Sequence, residues 1–213
     1  MRPFIEFLGT FLFLFVIALV AGGSFVLAPV AMGGALMVLV YVGRHLSSGQ
    51  FNPAVSLVLV LRGKQTFPEF LVLMAAQVLG GLAAFAVGYF VTGRTPGMAP
   101  GPDASLLQAL VVEMVFTYML CLVVLSVTTH RKTAENPLYG LAIGSTFMVA
   151  IIAGGPISGG GFNPATGLAA TVLRALVGSG SFEYLWIYIV GPIVGSILAA
   201  FTFKAIAPDA ESE

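Results

Sequence analysis

Phe51-Asn52-Pro53-Ala54 and Phe162-Asn163-Pro164-Ala165 repeat the same four residues at an offset of 111 positions (52 to 163) in a chain of 213. Asparagine is a strong helix N-cap, and proline suits the first helical position, where its fixed φ is preorganised and its missing N–H is not needed. Each copy therefore starts a helix. The apolar stretches that follow, residues 52–62 and 163–176, are about half a bilayer long at a rise of about 1.5 Å per residue. A helix that begins at mid-membrane leaves unpaired backbone N–H groups, which is tolerable only where protein or a water-filled cavity satisfies them.

The rest of the chain supplies the membrane setting. A mean hydropathy of +1.02, with 58% hydrophobic and 8% charged residues, leaves too little hydrated surface for a soluble protein of this size. The chain reads as an all-α membrane protein, with spans expected near residues 4–27, 31–46, 68–92, 105–128, 138–154 and 183–206. The first run carries Glu6 and continues to about Leu27, so it reads as a retained span and not as a signal peptide. A net charge of zero without a basic stripe argues against a nucleic-acid partner. The single cysteine, Cys121, lies in an apolar run and offers packing, not a disulfide. No metal-ligand spacing and no nucleophile with a base are found, so neither a metal, a cofactor nor an enzymatic activity is expected.

One asparagine-headed segment follows the second span and the other follows the fifth. Three spans per half is an odd number, so the second half must sit upside down relative to the first, the inverted-repeat layout of many transport proteins. We read one channel-like domain over residues 1–213, with halves of about 1–100 and 101–207 and a short acidic tail at 208–213. Glu6 and Glu113 each lie early in the first span of a half. Small residues four apart, Ala84 with Gly88, Gly140 with Gly144, and Gly191 with Gly195, mark close helix approaches. Placing both termini inside puts Arg2, Arg44, Arg62, Lys64, Arg131, Lys132 and Lys204 on the cytoplasmic side and leaves Arg94 and Arg174 outside. Trp186 and Tyr184 read as interfacial anchors.

If the two half-helices meet head to head, each presents a positive end of roughly half an elementary charge, which disfavours cations and protons at the centre. Asn52 and Asn163 can also donate hydrogen bonds into a lumen. A passing water would then point its oxygen at them, which interrupts a proton wire.

The arrangement resembles the aquaporin (major intrinsic protein) family over essentially the whole chain. His45 through Ala54 (HLSSGQFNPA) and Gly159 through Ala165 (GGGFNPA) match its two pore loops, and Glu6 and Glu113 match its span-one and span-four glutamates. The resemblance implies a right-handed bundle of six transmembrane helices and two re-entrant half-helices, and a passive channel with one pore per protomer of a homotetramer. It also implies that Glu6 and Glu113 accept hydrogen bonds from the pore-loop backbone. The other reading of these glutamates is a lumen-facing proton relay.

Family members usually carry an arginine directly after the second Asn-Pro-Ala, where this chain has Thr166. Counting from the motifs, the remaining constriction positions of the family fall on Met32, Ile151 and Gly160. These four imply a wide, largely apolar filter, with Met32 flexible enough to change its shape. Thr166 either lines that constriction or merely packs. Gly167 stands where glycerol-conducting members usually have aspartate, so the chain fits neither the strict water class nor the standard glycerol class. The family's mercury-sensitive cysteine position is Gly160, which predicts insensitivity by that route.

The expected function is a channel for water and small uncharged solutes in a lipid bilayer, with ion exclusion resting on the central dipoles. Glycerol, urea, ammonia and neutral metalloid hydroxides all suit an apolar opening. One alternative is a solute or metalloid facilitator with little water selectivity. A coupled secondary transporter is another, and it would need a lumen-facing ion or proton site. Arg174, about 16 Å along its half-helix, is expected to reach the vestibule or headgroups. His45 either lines the cytoplasmic mouth or holds the loop. Short loops favour a prokaryotic inner membrane.

Overall fold

Local signals set where most helices begin. Asn52 and Asn163 each accept a hydrogen bond from the backbone N–H two residues on, at 2.9 Å, with proline at the first helical position. Thr66 with Glu69 and Ser105 with Gln108 form reciprocal capping boxes at the starts of two longer helices. A computed structural model describes residues 1–23, 25–133, 135–178 and 180–207. Among them it contains α1 (Arg2–Val20), α2 (Ala28–Arg44), α3 (Pro53–Leu61), α4 (Phe67–Thr92), α5 (Leu106–Thr128), α6 (Tyr139–Ser158), α7 (Pro164–Leu176) and α8 (Leu185–Ile206), with a 3-10 turn at Arg131–Thr133. The acidic tail at 208–213 lies outside the described residues.

Five of these helices, α1, α4, α5, α6 and α8, are long and apolar enough to cross a membrane, and α2 is an apolar helix of 17 residues. The short helices α3 and α7 span 9 and 13 residues, so neither can cross. Two expected boundaries are corrected. The first span ends at Val20, well before Leu27, because Gly22 takes a left-handed φ of 79° and turns the chain. The fifth runs past 154 to Ser158. Pro156 costs a hydrogen bond there, but the last turn still closes through Gly159 N–H to the Gly155 carbonyl at 2.8 Å.

In the bundle α1 packs along α4, α5 along α8, and α2 across α6. Small residues make these crossings possible. A Cβ on Gly33 would lie 2.6 Å from the Gly144 carbonyl, and one on Gly144 would lie 2.5 Å from the Gly33 carbonyl, so α2 and α6 touch backbone to backbone. Gly80 meets the α1 backbone at Phe7, and its counterpart Gly191 meets α5 at Glu113 and Leu110. Gly88, Gly140 and Gly195, singled out from the sequence, likewise stand at helix contacts, against Ala18, Tyr41 and Met114. Phe13, Leu14, Phe51, Phe147 and Phe162 are buried at the centre, while Phe90, Leu107 and Phe201 point outward, the inside-out surface that lipid tolerates.

Candidate channel site

The two half-helices meet at their N-termini. Asn52 Nδ2 donates to the Phe162 carbonyl at 2.9 Å, and Asn163 Nδ2 donates to the Phe51 carbonyl at 2.9 Å. Each asparagine thus uses its oxygen to cap its own helix and one amide hydrogen to hold the opposite loop. Each amide has a second hydrogen beyond this bond. The carbonyls are aimed by an unusual backbone: Phe51 and Phe162 adopt left-handed φ values of 50° and 46°. A non-glycine residue there costs roughly 1–3 kcal/mol and persists only when its surroundings over-determine it.

Two glutamates do this. Glu6 accepts from the N–H groups of Gln50 (3.0 Å) and Phe51 (2.7 Å), from Ser47 Oγ (2.7 Å) and from Gln77 Nε2 (2.8 Å). Glu113 accepts from the N–H groups of Gly161 (2.8 Å) and Phe162 (2.6 Å) and from Ser158 Oγ (2.7 Å). Both carboxyls are wholly buried and surrounded by donors, the condition under which such a group is tolerated inside a membrane helix. Behind the first loop, Gln50 continues a side-chain network to Gln65 (2.6 Å) and Ser56 (2.5 Å). Behind the second, Tyr188 donates from its hydroxyl to the Ser158 carbonyl at 2.5 Å.

A cavity of about 350 Å³ opens from this junction on the side of the first loop. Its inner end is Asn52 and Phe51, and its walls are apolar side chains of α1, α2, α5 and α6, including Phe13, Leu36, Leu120 and Phe147. Arg44, Lys64, Thr128 and Thr129 are its polar members toward the helix ends. His45 caps α2 and is exposed, and the cavity is lined by its neighbour Arg44 instead.

The expected filter residues lie on the other side of the asparagines and do not line this cavity. Ile151 and Gly160 are brought together, with Ile151 Cδ1 3.0 Å from where a Gly160 Cβ would stand. Met32 and Thr166 are buried, at 7% and 1% exposure. Thr166 Oγ1 is buried, with no hydrogen-bond partner among the described residues. Gly167 packs directly beneath Tyr188, leaving no room there for a larger side chain.

Several functional contacts escape a reading of the sequence. The crosswise asparagine bonds, Gln50, Gln65, Gln77 and Tyr188 were not singled out. A signal for two of them existed, since Gln77 and Tyr188 both stand 25 residues after their asparagine and both brace an Asn-Pro-Ala loop, through Glu6 and the Ser158 carbonyl. Arg174 donates to the Met98 carbonyl at 3.3 Å, and the Met98 side chain in turn abuts Gly161. It therefore ties the α4–α5 connection over the second loop. Cys121 Sγ lies 3.8 Å from the Ala54 carbonyl and packs against the first turn of α3.

The family model described as "Major intrinsic protein" matches residues 2–203. Aquaporin NIP1-1 of Zea mays is 35% identical over 179 residues, covering 83% of this chain and 61% of that protein. Aquaporin NIP1-3 of Oryza sativa subsp. japonica is 34% identical over 211 residues, covering 94% of this chain and 72% of the relative. The chain thus spans less than two thirds of the length of the maize relative. The X-ray structure of the aquaglyceroporin from Plasmodium falciparum superposes with a TM-score of 0.83 at 25% identity, covering 100% of this chain and 98% of that one. Motif, helix pattern, loop anchoring and these likenesses agree: the chain is an integral membrane protein and belongs to the major intrinsic protein family.

Proposed function

We propose that this chain is a passive channel, not an enzyme, that carries water and small uncharged solutes across a lipid bilayer. The observation that carries this reading is the junction of Asn52 and Asn163, where two capped half-helices meet head to head above a 350 Å³ cavity. Two positive helix ends there repel cations, while the free amide hydrogens offer a neutral solute a place to bind in passing. The buried glutamates are occupied by loop donors, which leaves no carboxyl for a coupled proton or ion in this region.

Met32, Ile151, Gly160 and Thr166 form the filter in this proposal, with Thr166 offering a hydroxyl in place of a fixed charge. Ile151 lies against Gly160, so Ile151 would have to shift when a solute larger than water passes, and Met32 is flexible enough to follow. A solute facilitator of the glycerol kind is the second reading, favoured by the superposition on the Plasmodium aquaglyceroporin. Both readings place the protein in a cell membrane, with the termini cytoplasmic by the lysine and arginine bias, and we extend the proposal to a homotetramer in a prokaryotic inner membrane.

Reconstituted vesicles decide between these. Shrinkage under an impermeant osmolyte should exceed that of empty vesicles, and re-swelling under glycerol or urea should follow. Water flow equal to that of empty vesicles in every gradient would refute the channel. Thr166→Arg should lower glycerol and urea entry at least about fivefold, and unchanged entry would remove residue 166 from the filter.

A further inference from the structure

The cavity below Asn52 carries a charge pattern that the junction and filter do not use. Its ionisable lining residues are Arg44 and Lys64, and among the described residues no carboxyl joins them. Arg44 is half-buried and held in place: its guanidinium lies 4.6 Å from the Tyr139 ring centroid. Tyr139 packs against Tyr41 at 4.9 Å between centroids, and the Tyr41 hydroxyl donates to the Pro137 carbonyl at 2.9 Å. A cation stacked on an aromatic ring is a fixed charge, unlike a mobile surface lysine. Lys64, an exposed side chain just beyond the end of α3, lines the same cavity.

We propose that Arg44 and Lys64 form an electrostatic guard at this mouth, which depletes small cations and enriches small anions before any solute reaches Asn52. A narrow cleft lined by one sign of charge with apolar walls focuses the field of those charges, so two cations count for more here than on an open surface. The guard supplies a specificity determinant on the side of the junction opposite Thr166, where the filter carries no charge of its own. The inference rests on the cavity being one mouth of the proposed pore.

The local potential is read by placing a thiol in the cavity and comparing charged reagents. Thr128 lines the cavity, and its hydroxyl bonds only to the Val124 carbonyl of its own helix, so Thr128→Cys introduces the probe without disturbing another element. The full chain in lipid nanodiscs is treated with methanethiosulfonate reagents bearing a sulfonate or a trimethylammonium group. Each rate is divided by that with a free small thiol, and the parent chain with its buried Cys121 serves as background.

At about 0.1 M salt the anionic reagent should be favoured about tenfold or more, and Arg44→Gln with Lys64→Gln should bring the ratio within about twofold of unity. Should the double variant fail to fold, raising salt to about 1 M in the Thr128→Cys chain must collapse the ratio, since the screening length falls to about 3 Å. A ratio near unity at low salt overturns the proposal, and so does a ratio that survives both salt and the substitutions. The reagents report the charge of the mouth whether or not solute crosses. Failure here therefore leaves the osmotic result standing, and failure of the osmotic test leaves this one readable.

Discussion

The two Asn-Pro-Ala loops trace nearly the same backbone and are held by different means. Ser48, Gly49 and Phe51 have φ values of 100°, 64° and 50°, and their counterparts Gly159, Gly160 and Phe162 have 92°, 72° and 46°. Each loop hangs from one buried glutamate and offers one carbonyl to the other's asparagine. Beyond that skeleton they diverge. The first loop carries Gln50 and leans on a polar network with Ser56, Gln65 and Gln77, beside a cavity. The second is stripped to glycine because Tyr188, Met98 and the Ala99 carbonyl press against it. The two phenylalanines share one slot and differ in another: a Cβ on Gly43 or on its counterpart Gly154 would collide with the Phe51 or Phe162 ring, but Phe51 also fills space left by Gly9, whereas Phe162 packs edge-on against Phe116 at 5.5 Å. The lesson is that the backbone anchors are the shared requirement, while side chains adapt each loop to what covers it.

The largest expected effect tests the shared part. Glu6→Ala or Glu113→Ala leaves two buried backbone donors unpaired, each costing about 1–3 kcal/mol, so either variant should lose about 3–5 kcal/mol of stability. Thermal unfolding in detergent, followed by circular dichroism, reads this as a drop in Tm for both. A variant that melts with the parent would show that its loop does not depend on the carboxyl.

A smaller effect tests the divergence. Gly161→Ala places a Cβ 2.8 Å from Tyr188 Cδ1 and 3.0 Å from Met98 Cε, and overpacking of this kind should cost about 2 kcal/mol. Gln50→Ala removes its links to Gln65 and Ser56 and should cost about 1 kcal/mol. The same melting series ranks the two, and the reverse order would contradict packing as the reason for the glycines.

The smallest effect sharpens the backbone equivalence. Ser48→Gly relieves a left-handed φ at an exposed position and should raise stability by up to about 0.5 kcal/mol, once the greater freedom of the unfolded glycine chain is deducted. No gain from Ser48→Gly would mean that the left-handed φ at Ser48 carries no net strain.

The sequence by itself determined the helix inventory, the two Asn-Pro helix starts and the family, because capping, proline placement and span length are local or compositional properties. The ends of α1 and α6 were not legible in it, since a turn at Gly22 and a tolerated Pro156 depend on what surrounds the helix end. Nor could any pattern reveal that Asn52 holds the Phe162 carbonyl, that Gly33 faces Gly144, or that Arg44 rests on Tyr139. These contacts join residues distant along the chain, and only the packing of the helices fixes their distances and directions.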